Sequence, residues 1–214
     1  MNKCSCILLA YDPFRKTNSK NISKLIINLI DINEIEEIII VCNDSMDNNN
    51  YFLSTIENII LKNSKIKIIK LNKNIGASKG FNLGMKNLND NVKFVCFISL
   101  DLYLLDNNIF KYAIHHMNND QSIGILHPIS CFEDNDYFNS SKNCSHKRFL
   151  NLSKSIKNLS LAILEEKKVF ESLIKFNNNL NIKDISVVNT SRCPLTLCFF
   201  SIKALTKISG FDEK

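Results

Sequence analysis

The residues of this chain best suited to chemistry fall in two places. One is the glycine-punctuated stretch Asn74-Ile75-Gly76-Ala77-Ser78-Lys79-Gly80-Phe81-Asn82-Leu83-Gly84. The other is Asp101, which follows the apolar run from Phe94 to Leu100. Gly76 and Gly80 let a backbone approach a ligand, and the helix they open turns unsatisfied N–H groups toward it. A carboxylate delivered at the end of a buried strand suits a divalent cation, since Mg²⁺ is commonly held by few carboxylates together with phosphate oxygens and water. A helix N-terminus and a metal-binding acid are what a nucleoside diphosphate needs. The same glycines also suit a tight turn and close helix–sheet packing. Lys79 either pairs with a phosphate or is a solvated surface lysine.

The elements that must position these residues follow from the hydrophobic pattern. Cys6 to Ala10 is a short apolar run ended by Tyr11-Asp12-Pro13, a buried strand entering a loop. Ser19 to Leu29 carries Ile22, Leu25, Ile26 and Leu29 at helical spacing. Glu37 to Cys42, centred on Ile38-Ile39-Ile40-Val41, is a β-branched run of the kind buried on both faces of a parallel sheet. The polar segment Asn43 to Asp47 and the Asn triplet after it read as a loop. Tyr51 to Leu61 predicts a helix, Ile66 to Leu71 a strand, Ala77 to Asn87 a helix and Val92 to Leu100 a strand. Asn108 to Met117 predicts a helix and Ile123 to His127 a strand, with Asp106 as a cap before the helix or a secondary metal-binding acid beside Asp101. The alternation implies an α/β fold: a doubly wound, mostly parallel sheet with helices on both faces. Ligands of such sheets bind at the carboxyl ends of the strands, so the loops holding Tyr11, Asn43, Asp44, Gly76 and Asp101 should converge.

The character changes from Cys131 to about Ser191. Residues 131–146 are polar and turn-rich, and Phe149 to Phe176 is amphipathic with helical spacing. We read 131–191 as a helical insertion over the binding face, 1–130 as the ligand-binding part and 192–214 as the start of a further part, all in a single domain. Ile185 to Val188 and Cys193 to Ile202 are strand-like, Lys203 to Ile208 is a short helix, and Gly210 to Glu213 is a turn.

Composition narrows the function classes. The chain has 214 residues, 45% hydrophobic and 22% charged, which suits one globular domain. A net charge of +6 favours phosphate-bearing ligands or an anionic membrane face, or is simply a lysine-rich solvated surface. The eight cysteines include no C-x-x-C pair, and Cys4, Cys6, Cys42 and Cys96 sit in apolar runs as small hydrophobes. This points to a reducing, cytoplasmic compartment. Cys144 and His146 lack a second ligand pair for zinc. No signal peptide and no membrane-spanning run is visible, so the protein is expected to be soluble, or peripheral at the inner face of a membrane. His115, His116, His127 and His146 form no metal or triad spacing and read as structural or surface residues. No nucleophile elbow or Walker loop occurs, and the scattered lysines argue against nucleic acid.

Several segments, in order, resemble the nucleotide-binding part of a family 2 glycosyltransferase of GT-A fold. Ile7-Leu8-Leu9-Ala10-Tyr11-Asp12 is similar to the family's opening strand and turn. Ile39-Ile40-Val41-Cys42-Asn43-Asp44-Ser45-Met46-Asp47 is similar to its next strand and Asp-Asn-Gly-Ser-x-Asp loop. Asn74-Ile75-Gly76 through Gly80-Phe81-Asn82-Leu83-Gly84 resembles its glycine-rich loop, with Gly80-Phe81 nearest to rhamnosyl- and galactofuranosyl-transferase-like members. Phe97-Ile98-Ser99-Leu100-Asp101 resembles the strand ending in D-x-D, and Ile208-Ser209-Gly210-Phe211-Asp212-Glu213 the later Gly-Gly-Phe-Asp-Glu stretch.

The resemblance implies an inverting transfer from a nucleoside-diphosphate sugar to a glycan or lipid-linked acceptor, in polysaccharide biosynthesis. It implies a donor site drawn from Ala10, Tyr11, Asp12, Asn43, Asp44, Gly76, Lys79, Gly80, Ser99 and Asp101. Tyr11 would stack on the base, unless it only anchors its loop. Asp101 would bind Mg²⁺ or Mn²⁺. Two positions depart from the family: Cys42 stands where an Asp is usual, leaving Asp44 as the substitute, and Ser99 stands at the first acid of D-x-D. The family's general base follows Gly-Phe-Asp-Glu, and Lys214 precedes that position. The expectation is therefore a C-terminally truncated enzyme with weak or no activity. The alternatives are a non-catalytic sugar-nucleotide-binding module, a degenerate fragment and an unrelated α/β interaction domain.

Overall fold

The computed structural model describes residues 3–11, 19–100, 102, 104, 107–127 and 197–213. All of them belong to one compact unit. The insertion, Cys131, Cys144, His146, Cys193, Asp106 and the strand-like Ile185 to Val188 lie outside the described residues.

The elements run β1 (Cys4–Ala10), α1 (Ser19–Asp31), β2 (Ile35–Cys42), α2 (Met46–Ile60), β3 (Ile66–Lys70), α3 (Ala77–Met85), β4 (Phe94–Ser99), α4 (Ile109–Asn119), β5 (Ile125–Leu126), β6 (Leu197–Ser201) and α5 (Ile202–Lys207). The sheet order is β3-β2-β1-β4-β6-β5. β1, β2, β3 and β4 are mutually parallel, as the alternating helices require. β6 enters antiparallel between β4 and β5, with Ile98 opposite Leu197 and Phe94 opposite Ser201. β5 is antiparallel to β6 in turn, so it runs with β4 and ends on the same edge.

The strands read as continuous apolar runs because both faces are covered. Leu8, Ala10, Ile38, Ile40, Cys96 and Ile98 point to one face, where Ile22, Leu25, Ile26 and Leu29 of α1, Phe52 and Ile56 of α2, and Phe110 and Ile114 of α4 bury them. Ile7, Ile39, Val41, Val95 and Phe97 point to the other, against Phe81 of α3, Leu205 of α5 and Phe211. Each fully buried Ile, Leu or Phe contributes roughly 1.5–3 kcal/mol. The buried cysteines Cys4, Cys6, Cys42, Cys96 and Cys198 take part in this core, and no disulfide links the described ones.

α2 begins earlier than the expected Tyr51. Ser45 caps it, its Oγ accepting from the Asn48 N–H at 3.4 Å, so the Asn triplet is helical instead of a loop. The opposite edge of the sheet carries a polar pin. Glu37 of β2 accepts from Ser5 Oγ at 2.7 Å, the Asn89 N–H at 2.9 Å and Lys67 Nζ at 2.7 Å, joining β1, β2, β3 and the chain after α3.

Candidate functional site

The exits of β1, β2 and β4 and the start of α3 carry the described residues among those singled out above. At the end of β1, the buried Ala10 accepts from the Asn43 N–H at 2.8 Å, which ties the exits of β1 and β2 together. Tyr11 follows with 46% of its surface exposed, so its ring is available for stacking. At the end of β2, Cys42 is buried and burial pushes its thiol up to about 12. It is a neutral core group and not a substitute for a carboxylate.

Asn43 and Asp44 have different surroundings. Asn43 is 1% exposed. Its Oδ1 accepts from the Ile75 N–H at 2.9 Å, and its Nδ2 donates to the Gly76 carbonyl at 3.1 Å. Asp44 is 7% exposed; its Oδ1 accepts from the Ser45 N–H at 2.7 Å. Its Oδ2 is buried and finds no partner among the described residues. A buried carboxylate oxygen left alone is costly, so this atom has unused capacity for an N–H or O–H donor or a cation.

The glycine stretch divides into two functions. Gly76 has φ +89° and caps α3 with no side-chain hydrogen bond, and a Cβ placed there would meet nothing within 4 Å. Its conformation, and not crowding, calls for glycine. The first turn beyond it is open: Ala77 and Lys79 are exposed. Gly80 is the reverse case. A Cβ there would stand 2.5 Å from Leu9 Cδ1 and 3.3 Å from Asn43 Nδ2, so close packing of α3 on β1 and β2 calls for it. β4 ends at Ser99, whose carbonyl accepts from the Leu102 N–H at 3.3 Å. Asp12 and Asp101 lie outside the described residues.

Among the described residues, no group of three or more His, Cys, Asp and Glu side chains is placed to hold a metal ion. The unpartnered Asp44 oxygen that this edge offers among the described residues is a hard donor, as are carboxylate oxygens in general. That chemistry suits Mg²⁺ or Mn²⁺ over zinc.

Three polar residues matter here that composition and spacing did not single out. Asn49 is 2% exposed and donates from Nδ2 to the carbonyls of Cys42 and Asp44, both at 3.1 Å, and to that of Leu71. It holds the exits of β2 and β3 together. Asn82 of α3 bonds the Phe211 backbone and donates from Nδ2 to the Glu213 carboxylate. His127 follows β5 on the ligand edge, with a buried Nε2 that has no partner among the described residues, and burial lowers its pKa. In the sequence, Ser45 as a helix cap would have placed Asn49 one turn into α2; the other two give no local signal.

A parallel sheet with one antiparallel strand inserted, and with polar loops gathered at the carboxyl ends, is the GT-A glycosyltransferase fold. The chain belongs to glycosyl transferase family 2, whose sequence profile matches residues 12–190. Among solved structures it is similar to the mannosyltransferase PcManGT from Pyrobaculum calidifontis in complex with GDP-Man and Mn²⁺. The TM-score is 0.60 at 12% identity, and the match covers 99% of this chain and 48% of that one. The chain thus spans about half the length of that structure. It is also similar to a 4-diphosphocytidyl-2C-methyl-D-erythritol synthase from Anaerococcus prevotii, with a TM-score of 0.46 at 15% identity, covering 62% of this chain and 57% of that one. No curated protein matches the chain. Among the described residues no helix is long and apolar enough to cross a membrane.

Proposed function

We propose that the carboxyl edge of this sheet binds a nucleoside-diphosphate sugar, and that the chain serves inverting transfer of the sugar to a glycan or lipid-linked acceptor in polysaccharide biosynthesis. The observation that carries the reading is the opening of α3 at Gly76, hydrogen-bonded to Asn43 at the exit of β2, in a chain of glycosyl transferase family 2. Tyr11 stacks on the base, Asp44 supplies the acceptor that Cys42 cannot, and the first-turn N–H groups of α3 with Lys79 face the diphosphate. Asp101, with Ser99 beside it in the chain, would hold Mg²⁺ or Mn²⁺ against the diphosphate. That ion would supply charge stabilisation to the leaving nucleoside diphosphate. Gly80-Phe81 favours a donor of the rhamnosyl or galactofuranosyl kind. The protein acts in the cytoplasm or peripherally at the inner membrane face.

A second reading is a sugar-nucleotide-binding module without turnover. It is favoured by Cys42, a neutral buried thiol at a position where the family usually places an acid. Calorimetric titration of UDP, GDP and dTDP, with and without Mn²⁺, tests both. Metal-dependent binding lost in Asp101→Ala supports the donor site, and its absence for all three nucleotides sinks it. Release of nucleotide from UDP- or dTDP-sugars in the presence of an acceptor selects the enzyme over the module.

A further inference from the structure

The loop from Leu71 to Gly76 is pinned at both ends by buried carboxamides from the β2–α2 segment. At its start, Asn49 Nδ2 donates to the Leu71 carbonyl, and the Leu71 N–H donates to the Cys42 carbonyl at 3.0 Å. At its end, Asn43 takes the Ile75 N–H on Oδ1 at 2.9 Å and gives Nδ2 to the Gly76 carbonyl at 3.1 Å. Between the pins, Asn72, Lys73 and Asn74 are exposed.

The Gly76 oxygen is the pivotal atom. It also accepts the Gly80 N–H at 3.1 Å, the bond that closes the first turn of α3. Asn43 therefore donates to the same oxygen that sets where that turn begins. The contact is firm from the other side as well, because α3 approaches at Gly80, where a Cβ would already stand 3.3 Å from Asn43 Nδ2. Asn43 is wedged between loop and helix, at 1% exposure, with no surface left for a ribose or a base. Beside it, Asp44 Oδ2 is buried and unpartnered among the described residues, so the adjacent position is the one with capacity for a ligand.

We infer that Asn43 is a positioning residue for the diphosphate and not a nucleoside contact: it aims the first-turn N–H groups of α3. This rests on the donor-site reading above. A misaimed N–H loses a charge-assisted hydrogen bond to phosphate, which is worth about tenfold or more in affinity. The base and ribose, held from Tyr11 and Asp44, are untouched by that change.

The test compares a nucleotide with its own nucleoside. UDP, GDP and dTDP are titrated with Mn²⁺ into the wild-type chain, and the tightest is paired with uridine, guanosine or thymidine. Asn43→Ser removes the Nδ2 donor, and it is expected to weaken the nucleotide about tenfold while nucleoside affinity stays at the wild-type value. Hydrogen exchange at the Ile75 amide should accelerate in the same variant. Gly76→Ala perturbs the loop by backbone strain alone, outside the core, and should give the same split, so the inference stays testable if Asn43→Ser does not fold. Equal losses for nucleotide and nucleoside would show a direct nucleoside contact and overturn the inference, as would an unchanged nucleotide affinity. If the wild-type chain binds none of the nucleotides, the donor-site reading itself falls, and Ile75 exchange then scores only the clamp.

Discussion

Asn82 on α3 brackets the backbone of Phe211 with both ends of its carboxamide: Oδ1 accepts the Phe211 N–H at 2.9 Å and Nδ2 donates to the Phe211 carbonyl at 2.8 Å. Nδ2 also reaches Glu213 Oε1 at 2.8 Å. The Phe211 ring sits between Phe97, Phe81 and Phe200, with centroid separations of 5.0, 5.8 and 5.8 Å. The helix that opens at Gly76 thus also anchors the Gly-Phe-Asp-Glu turn, 129 residues away in sequence.

Removing that bracket should be costly. Asn82→Ala strands a part-buried N–H and carbonyl, and is expected to lower the unfolding free energy by about 2–3 kcal/mol. Asn82→Asp keeps the acceptor for Phe211 but loses the donor and faces Glu213, so it should be nearly as damaging. Urea denaturation of the two variants checks this; a loss under about 0.5 kcal/mol would mean the turn is held by Phe211 packing alone.

The end of α5 offers a gain. The Gly210 N–H reaches the Leu205 carbonyl at 2.9 Å and the Ser209 N–H the Thr206 carbonyl at 3.1 Å, a Schellman pairing. Ser209 adopts φ +60° within it. A side chain there is strained by about 1 kcal/mol, so Ser209→Gly should raise the denaturation midpoint. An unchanged or lowered midpoint would show that Ser209 makes a compensating contact.

Gly80 and Leu9 should behave as a coupled pair. Gly80→Ala drives a methyl to 2.5 Å from Leu9 Cδ1, the movable tip of a half-buried side chain. The expected cost is about 1–3 kcal/mol. Leu9→Val withdraws that tip and should recover part of it, giving a non-additive double-mutant cycle. Additivity would place the strain on Asn43 instead.

Acid should destabilise the fold in two stages. Burial holds the His127 pKa below its ordinary 6.5, so the folded state resists a proton that the unfolded chain accepts. Stability is therefore whole above about pH 6.5 and starts to fall below it. Glu37 is opposed by burial, but its hydrogen bonds from Asn89, Lys67 and Ser5 prevail and hold its pKa below the ordinary 4.5. Its contribution is present above that value and is lost as pH falls through the folded pKa. Unfolding free energies measured across pH should show both losses. His127→Gln is expected to abolish the first and Glu37→Gln the second; unchanged profiles would refute the assignments.

The sequence by itself determined the layers of this protein. Continuous apolar runs such as Ile38 to Val41 can be satisfied only between two helical layers, so the parallel sheet was legible. So was the place of the glycine stretch, because Gly76 and Gly80 answer local demands of backbone angle and close approach. Tertiary structure alone decided three other matters. β6 pairs antiparallel to β4, across a separation in sequence that no local pattern encodes. The buried carboxamides of Asn43, Asn49 and Asn82 take partners 32, 22 and 129 residues away, so none of these contacts was legible along the chain. The carboxylate oxygen of Asp44 is left unpartnered among the described residues because the fold spends Asn43 on the loop and buries Cys42 in the core. Apolar periodicity is written along the chain, whereas the satisfaction of a polar atom depends on which distant backbone reaches it.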